Sequence, residues 1–208
     1  GFDRELRENI LSVVPHVQLI HPQGVGDWPT EQSRIAKFNH VTEVSPYNQV
    51  EGLINSRLQA RPIQLLGLSS RGLPEGIAKM LGAYQLSIPG TGQILLSEVV
   101  AEALQVSVEQ AVSVIIPAAD GLPTKAYSLV VAGIFSTHTE LDQALALASL
   151  EQVGAIGGIG NKVQGFRLQI DDQFNARNIG YEIVNQLPYG YGFRDWFQTH
   201  GNLYKAIQ

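Results

Sequence analysis

The side chains able to do chemistry are few, and their spacing mostly argues against chemistry. Gly154 to Lys162 is rich in glycine and ends in lysine, the residue a phosphate loop sends to the β- and γ-phosphates. Such a loop also needs glycine directly before the lysine and Ser or Thr directly after it. Asn161 and Val163 stand there instead, and no correctly spaced glycine triplet links a strand to a helix as a dinucleotide site requires. A flexible connector is the better account, and ATP hydrolysis is not expected of this chain. His138, Glu140 and Asp142 alternate, so in an extended segment they would share one face. One imidazole and two carboxylates could hold a metal with a fourth ligand from elsewhere, but a solvated strand end requires nothing further and is preferred. His16 and His21 flank a turn without an acidic ligand nearby.

Hydrolase patterns fare no better. Gly67-Leu-Ser69-Ser-Arg71 lacks the last glycine of a nucleophile elbow. Asp171-Asp172 precedes an expected helix, where the pair caps the helix end rather than serving as acid and base. Tyr189, Tyr191 and Phe193 alternate ahead of Trp196 and Phe197, the pattern of a strand with one aromatic face turned to the core. The chain has no cysteine, which removes thiol catalysis, disulfides and cysteine-based zinc sites together. The expectation is a non-catalytic chain without metal or cofactor.

The elements that must carry these residues follow from composition and periodicity. With 208 residues, 44% of them hydrophobic, the chain can bury a core as one large domain or two small ones. Its net charge of -5 comes without blocks of like charge, which speaks against nucleic-acid binding and against adsorption to anionic lipid. The longest apolar run, Leu129 to Phe135, falls far short of the roughly 20 residues a membrane helix needs. Phe2, Leu6, Ile10 and Val13 recur at helical spacing, as do Phe197, Leu203, Tyr204 and Ile207. Both ends therefore read as helices that continue outward, as though the chain were cut from between two further segments.

Between them the pattern gives a strand at His16 to Ile20, a loop at His21 to Gly26 and a helix opened by Asp27 and Pro29. A strand from Val41 to Leu53, broken at Pro46, pairs with Leu58 to Leu66, where Pro62 points to an edge. Gly67 to Gly92 holds six glycines and shows little periodicity. Ser97 caps a helix over Glu98 to Leu104. Strands at Ala111 to Ile116 and Ala126 to Phe135 flank an Asp120-Gly121 hairpin tip. Ala144 to Ala148 is another strand, with Ser149 capping a further turn. Val163 to Ile170 alternates as a strand, Phe174 to Leu187 is helical, and Tyr189 to Phe193 is a short strand before the closing helix. This suggests a split α/β subdomain, 1–66 with 162–208, around an inserted β-rich subdomain, 67–161.

Several blocks resemble the periplasmic domain of the lipoprotein-releasing ABC transporter permeases, the LolC/LolE family. They are GFDRELRENILSVVPHV at the start, Pro62 to Gly67, VAGIFSTHTELD from Val131, Gly165-Phe-Arg-Leu168 with Asp172, Phe174 and Ala176, and Asp195-Trp196 with Asn202 to Ile207. They fall in order along nearly the whole chain. The resemblance implies an α+β, MacB-like periplasmic core with porter-like and sabre-like subdomains. It implies an inner-membrane permease that extracts triacylated lipoproteins with a LolC-like second permease and a LolD-like cytoplasmic ATPase, and passes them to the chaperone LolA. The connection from Pro117 to Lys125 is short, where the LolC type has a longer chaperone-docking hook, so the resemblance is closer to LolE; Asp120, Gly121, Leu122 and Pro123 are the candidate partner-contact hairpin. Glu109-Gln110 replaces the family's Gly-Asp turn. Phe2, Leu6, Leu203 and Tyr204 are candidates for the membrane-proximal lipoprotein path. The alternative within the same class is a MacB-type exporter or a hydrolase-activating permease.

Overall fold

The computed structural model describes residues 10–57, 59–117 and 124–201. All eight candidate path and hairpin residues, Phe2, Leu6, Asp120, Gly121, Leu122, Pro123, Leu203 and Tyr204, lie outside that set. The chain divides into two compact units: one holds Gly1–Tyr47, Gly72–Ile77 and Lys162–Gln208, the other Asn48–Arg71 and Ala78–Asn161.

The first unit is built on an antiparallel sheet. Its strands are β1 (Val17–Val25), the first half of β2 (Val41–Asn55), β8 (Val163–Ile170) and β9 (Gly192–Asp195), in the order β2, β8, β1, β9. β1 does not stop at Ile20. It continues through the expected loop as an irregular strand, and its register against β8 shifts between Ile20 and Val25. A bulged strand absorbs a Pro and a left-handed Gly24 without ending. Pro46 likewise sits within β2, opposite Phe166, without breaking the strand. Helix α1 (Trp28–Ile35) starts at Asp27 and Pro29 as expected, although the Asp27 side chain makes no capping bond.

A long helix was expected from Phe174. The structure instead places a 3-10 turn at Gln173–Asn175 before α5 (Ala176–Asn185), which packs on β9 and β1. Asp171 and Asp172 do not cap. Asp171 pairs with the His40 imidazole at 2.9 Å, and Asp172 makes no side-chain bond to the turn. The aromatic strand is also displaced toward the C-terminus. Because it begins at Gly192, Tyr189 stands fully exposed while Tyr191 is buried, with its hydroxyl pushed up to about 12 chiefly by burial. His21 meets the Tyr191 ring edge-on at 5.0 Å.

Two glycines let backbone approach backbone in this unit. A Cβ on Gly165 would stand 1.8 Å from the Leu19 carbonyl oxygen, and one on Gly76 would stand equally close to that of Ser12. Gly165→Ala must therefore separate β8 from β1, and a cost of about 2 kcal/mol is expected from a urea titration of the isolated domain. Unchanged stability would mean that the two strands are not packed this closely.

The second unit carries a mixed sheet in the order β3 (Ala60–Leu68), β7 (Leu145–Ser149), β4 (Gln93–Ser97), β6 (Lys125–Phe135), β5 (Ala111–Ile116), then the end of β2 at Leu53–Asn55. β3 with β7 and β4 with β6 are parallel; β4 with β7 and β5 with β6 are antiparallel. Two strands turn straight into helices through a serine. Ser97 caps α3 (Glu98–Leu104) by accepting the Val100 N–H, and Ser149 caps α4 (Leu150–Ile156) by accepting that of Gln152. The apolar faces of these helices and strands share one core, including Leu65, Ile94, Leu96, Val114, Val131 and Val153.

The glycine-rich stretch read as irregular contains α2 (Glu75–Gly82), whose Ile77 and Leu81 are buried. Its single apolar pair is too short a stripe to stand out between glycines. β4, also unexpected, is a short buried run of the kind periodicity cannot assign.

The His138, Glu140 and Asp142 trio is not extended. A 3-10 turn spans Glu140–Gln143, so the three do not share a face. Asp142 is neither a solvated strand end nor free to bind a metal, being only 3% exposed. It accepts bonds from the Ser136 hydroxyl at 2.9 Å, the Thr137 N–H at 3.1 Å and the Thr137 hydroxyl at 2.6 Å. A buried carboxylate satisfied this way holds a loop in one shape. Among the described residues no group of three His, Asp or Glu is placed to hold a metal. The expected connector after Val153 is helix up to Ile156, followed by left-handed Gly158 and Gly160. Ser69 accepts the N–H of Arg71 within a turn.

Candidate functional site

A constellation of buried polar groups lies in the first unit, where the segments outside the sheet meet it. Val17 opens β1 and Asp195 closes β9, and these two residues are direct partners across the ladder. One residue further out, the Trp196 N–H donates to the His16 carbonyl at 3.1 Å. The leading segment therefore reaches the sheet, and the trailing segment leaves it, side by side at the same end.

Each segment is held by a device legible from physical chemistry. Residues 10–13 are helical, and the Val14 N–H closes the last turn on the Ile10 carbonyl. A helix C-terminus leaves carbonyls without intrahelical partners and carries partial negative charge. Here β8 supplies the donors: the Arg167 guanidinium bonds the Val13 carbonyl, and the Gln169 amide bonds the Val14 carbonyl at 3.2 Å. Gln169 also accepts the His16 N–H, and His16 Nδ1 accepts the N–H of Ile170 at 3.0 Å. On the trailing side, Asp195 and Gln198 form a reciprocal capping box over α6 (Trp196–Thr199). Trp196 is fully buried, and its indole N–H donates to the Gln173 carbonyl at 2.8 Å.

Burial sets the electrostatics. Arg167 is almost wholly enclosed, Nε has no partner, and burial lowers its pKa to about 10 against the attraction of Tyr47 and Glu43. It still carries its charge at neutral pH. Burial lowers both His16 and His200 to about 4, with Arg167 adding repulsion at His200. Both imidazoles are therefore neutral at pH 7, as His16 must be to accept the Ile170 N–H.

A pH prediction follows with a definite sign. The folded pKa lies below the unfolded value near 6.5, so the stabilisation is complete above pH 6.5 and is lost as pH falls toward 4. The loss is on the order of 3 kcal/mol for His16 and less for the partly exposed His200. Urea midpoints of the wild type should fall between pH 7 and pH 4.5 more steeply than those of His16→Asn, whose amide oxygen replaces Nδ1 as acceptor. Parallel slopes would refute the role of His16.

The arrangement can grip backbone carbonyls but pairs no nucleophile with a base. Sequence reasoning passed over Arg167 and Gln169, although their alternation with Phe166, Leu168 and Ile170 already placed polar groups on one face of a buried strand. The Asp195-x-x-Gln198 box was a second missed signal. His16 was weighed only as a metal ligand.

Likenesses to known proteins exist in both fold and sequence. The fold resembles the periplasmic region of MacB from Actinobacillus actinomycetemcomitans, with a TM-score of 0.51 and 12% identity over 96% of this chain and 98% of that one. It also resembles the extracellular domain of the noncanonic ABC-type transporter YknZ from Gram-positive bacteria, with a TM-score of 0.50 and 12% identity over 86% and 99% of the two chains. In sequence the chain is similar along its whole length to two lipoprotein-releasing system transmembrane proteins, LolE of Haemophilus influenzae and LolC of Neisseria meningitidis, at 24% identity to each. It spans 53% of the length of either relative. No family model matches the chain. The resemblance first carried by scattered blocks thus extends over the whole sequence, and the MacB-like α+β fold is the one expected. No helix among the described residues is long and apolar enough to cross a membrane.

Proposed function

We propose that the chain is the periplasmic domain of an inner-membrane permease that releases outer-membrane-directed lipoproteins. The permease works with a LolC-like second permease and a LolD-like cytoplasmic ATPase, and hands triacylated lipoprotein to a periplasmic chaperone. The chain contributes motion and shape, with ATP hydrolysis in a separate subunit and no cofactor of its own. The observation that carries this reading is the junction at Val17 and Asp195, where both outer segments meet the sheet together and are gripped by buried polar groups. A domain suspended from two membrane segments needs such a root, because rigid-body motion below reaches it only through the two connections. The likeness to LolE and LolC supplies the substrate class.

Phe2, Leu6, Leu203 and Tyr204 are proposed to line the lipoprotein path, and Asp120 to Pro123 to face a partner. The test is reconstitution of the full permease with its partner and ATPase in proteoliposomes, with a triacylated lipoprotein inside the bilayer and the chaperone in solution. ATP-dependent transfer of lipoprotein to the chaperone is expected, with a marked fall in Phe2→Asp and Tyr204→Asp. Hydrolysis of ATP without lipoprotein release would overturn the reading.

A further inference from the structure

β9 stands last in the strand order of the first unit, so one of its edges faces no described strand. The direction of its backbone groups follows from the ladder. Trp196 donates its N–H to the His16 carbonyl, while the Asp195 N–H turns the other way, to the Gln198 side chain. Successive residues of an antiparallel strand direct their N–H and C=O to alternate sides. Arg194 and Gly192 therefore face β1, and the N–H and C=O of Phe193 face outward. β1 agrees. Leu19, the partner of Phe193, directs its carbonyl toward β8, where a Cβ on Gly165 would meet it. Among the described residues neither outward group of Phe193 meets a hydrogen-bond partner. The surroundings of this edge are aromatic. Phe174, Tyr181 and Tyr189 are the exposed large apolar or aromatic side chains of the first unit among the described residues. Tyr181 meets the Phe193 ring edge-on at 4.9 Å, Phe174 touches Trp196 directly after β9, and Tyr189 precedes β9 by three residues. Phe193 is itself half-buried, and Gly192 and Arg194 are exposed.

Exposed edges are commonly kept short and charged against chance pairing, and β9 has both features. What sets it apart is a free backbone pair with an aromatic pair beside it, an arrangement that an extended chain matches. From this geometry we infer that the outer edge of β9 is a docking site for an extended segment of another polypeptide, which adds to the sheet as an antiparallel strand. Antiparallel addition lets one peptide residue exchange both bonds with Phe193, whereas a parallel strand would divide them between two residues. Directly opposed side chains share a face, so that residue sets its own side chain beside Phe193 and Tyr181, and an apolar or aromatic one is selected. The residue before it comes opposite Arg194, which selects an acidic side chain. The residue after it comes opposite Gly192, where a Cβ would stand in open space, and is unrestricted. The site lies within the first unit and does not depend on the permease reading.

The probe is the peptide acetyl-Ser-Thr-Glu-Phe-Thr-Ser-amide, titrated into the isotope-labelled chain and followed by amide NMR. In the free chain the Phe193 N–H should exchange with solvent far faster than those of Gly192 and Arg194. Saturating peptide should slow exchange at Phe193 severalfold and shift the signals of Phe193 and Tyr181. Replacing the peptide's Glu with Lys should weaken binding severalfold, and Arg194→Glu in the chain should reverse that preference, which a purely structural arginine would not do. N-methylation of the peptide's Phe removes the donor to the Phe193 carbonyl and should abolish binding while every side chain stays in place. No change at Phe193 with millimolar peptide overturns the docking site, as does equal affinity for the N-methylated peptide. An unreversed preference in Arg194→Glu overturns the acidic position. Slowing that grows with the concentration of the chain alone also overturns the inference, because a second copy would then occupy the edge.

Discussion

Replacing Trp196 with alanine is expected to lower the stability of the isolated domain by about 4 kcal/mol, the largest loss foreseen for a single side chain here. Trp196 is fully buried and contacts Phe174 and Phe197. Its indole N–H is satisfied by the Gln173 carbonyl, so truncation creates a large cavity and also leaves that carbonyl without its partner. The backbone bond from Trp196 to His16 would survive only while β9 stays docked. Trp196→Phe should recover much of the loss by refilling the space, while still forfeiting the bond to Gln173. Chemical denaturation of the three proteins tests this ordering. An alanine variant within 1 kcal/mol of wild type would show that the ring is not part of a packed core.

Arg167 gives the second large effect, and it separates stability from function. A buried guanidinium loses much of its attraction to the cost of leaving water, so a well-fitting apolar replacement is often neutral for stability. Arg167→Met should therefore lie within about 1 kcal/mol of wild type, whereas Arg167→Ala should cost about 3 kcal/mol through the space it empties. Both variants remove the donor to the Val13 carbonyl and leave the end of the leading helix held by Gln169 alone among the β8 side chains. If the junction transmits motion, lipoprotein release by the reconstituted permease should fall at least tenfold in Arg167→Met despite normal melting. Wild-type release by that variant would reduce Arg167 to a packing residue.

Much of the fold was readable because its signals are local. The serine caps at Ser97 and Ser149 each satisfy an N–H group three residues away, and the alternation from Val163 to Ile170 needs only one buried face. Errors gathered where a distant partner outweighs the local preference. His21 to Gly24 resembles a loop, yet pairing with β8 on either side of it, at Ile20 and Val25, keeps it within a strand. Asp171 stands before a helical segment, yet His40 takes its carboxylate. Asp142 looks like a solvated acid, yet Ser136 and Thr137 fold over it.

The sequence by itself determined an α+β chain without cysteine, most of its strands and the two serine caps, because these depend on composition and on periods of two or four residues. It also carried the likeness to a permease family, since those blocks are linear. Only the tertiary structure decided that Val17 and Asp195 stand side by side, and that Arg167 closes a helix end 154 residues away in the chain. Pairings of that kind have no periodicity to announce them. They come into being only when β8, β1 and β9 assemble, because only then are the helix-end carbonyls removed from water and brought within reach of a donor.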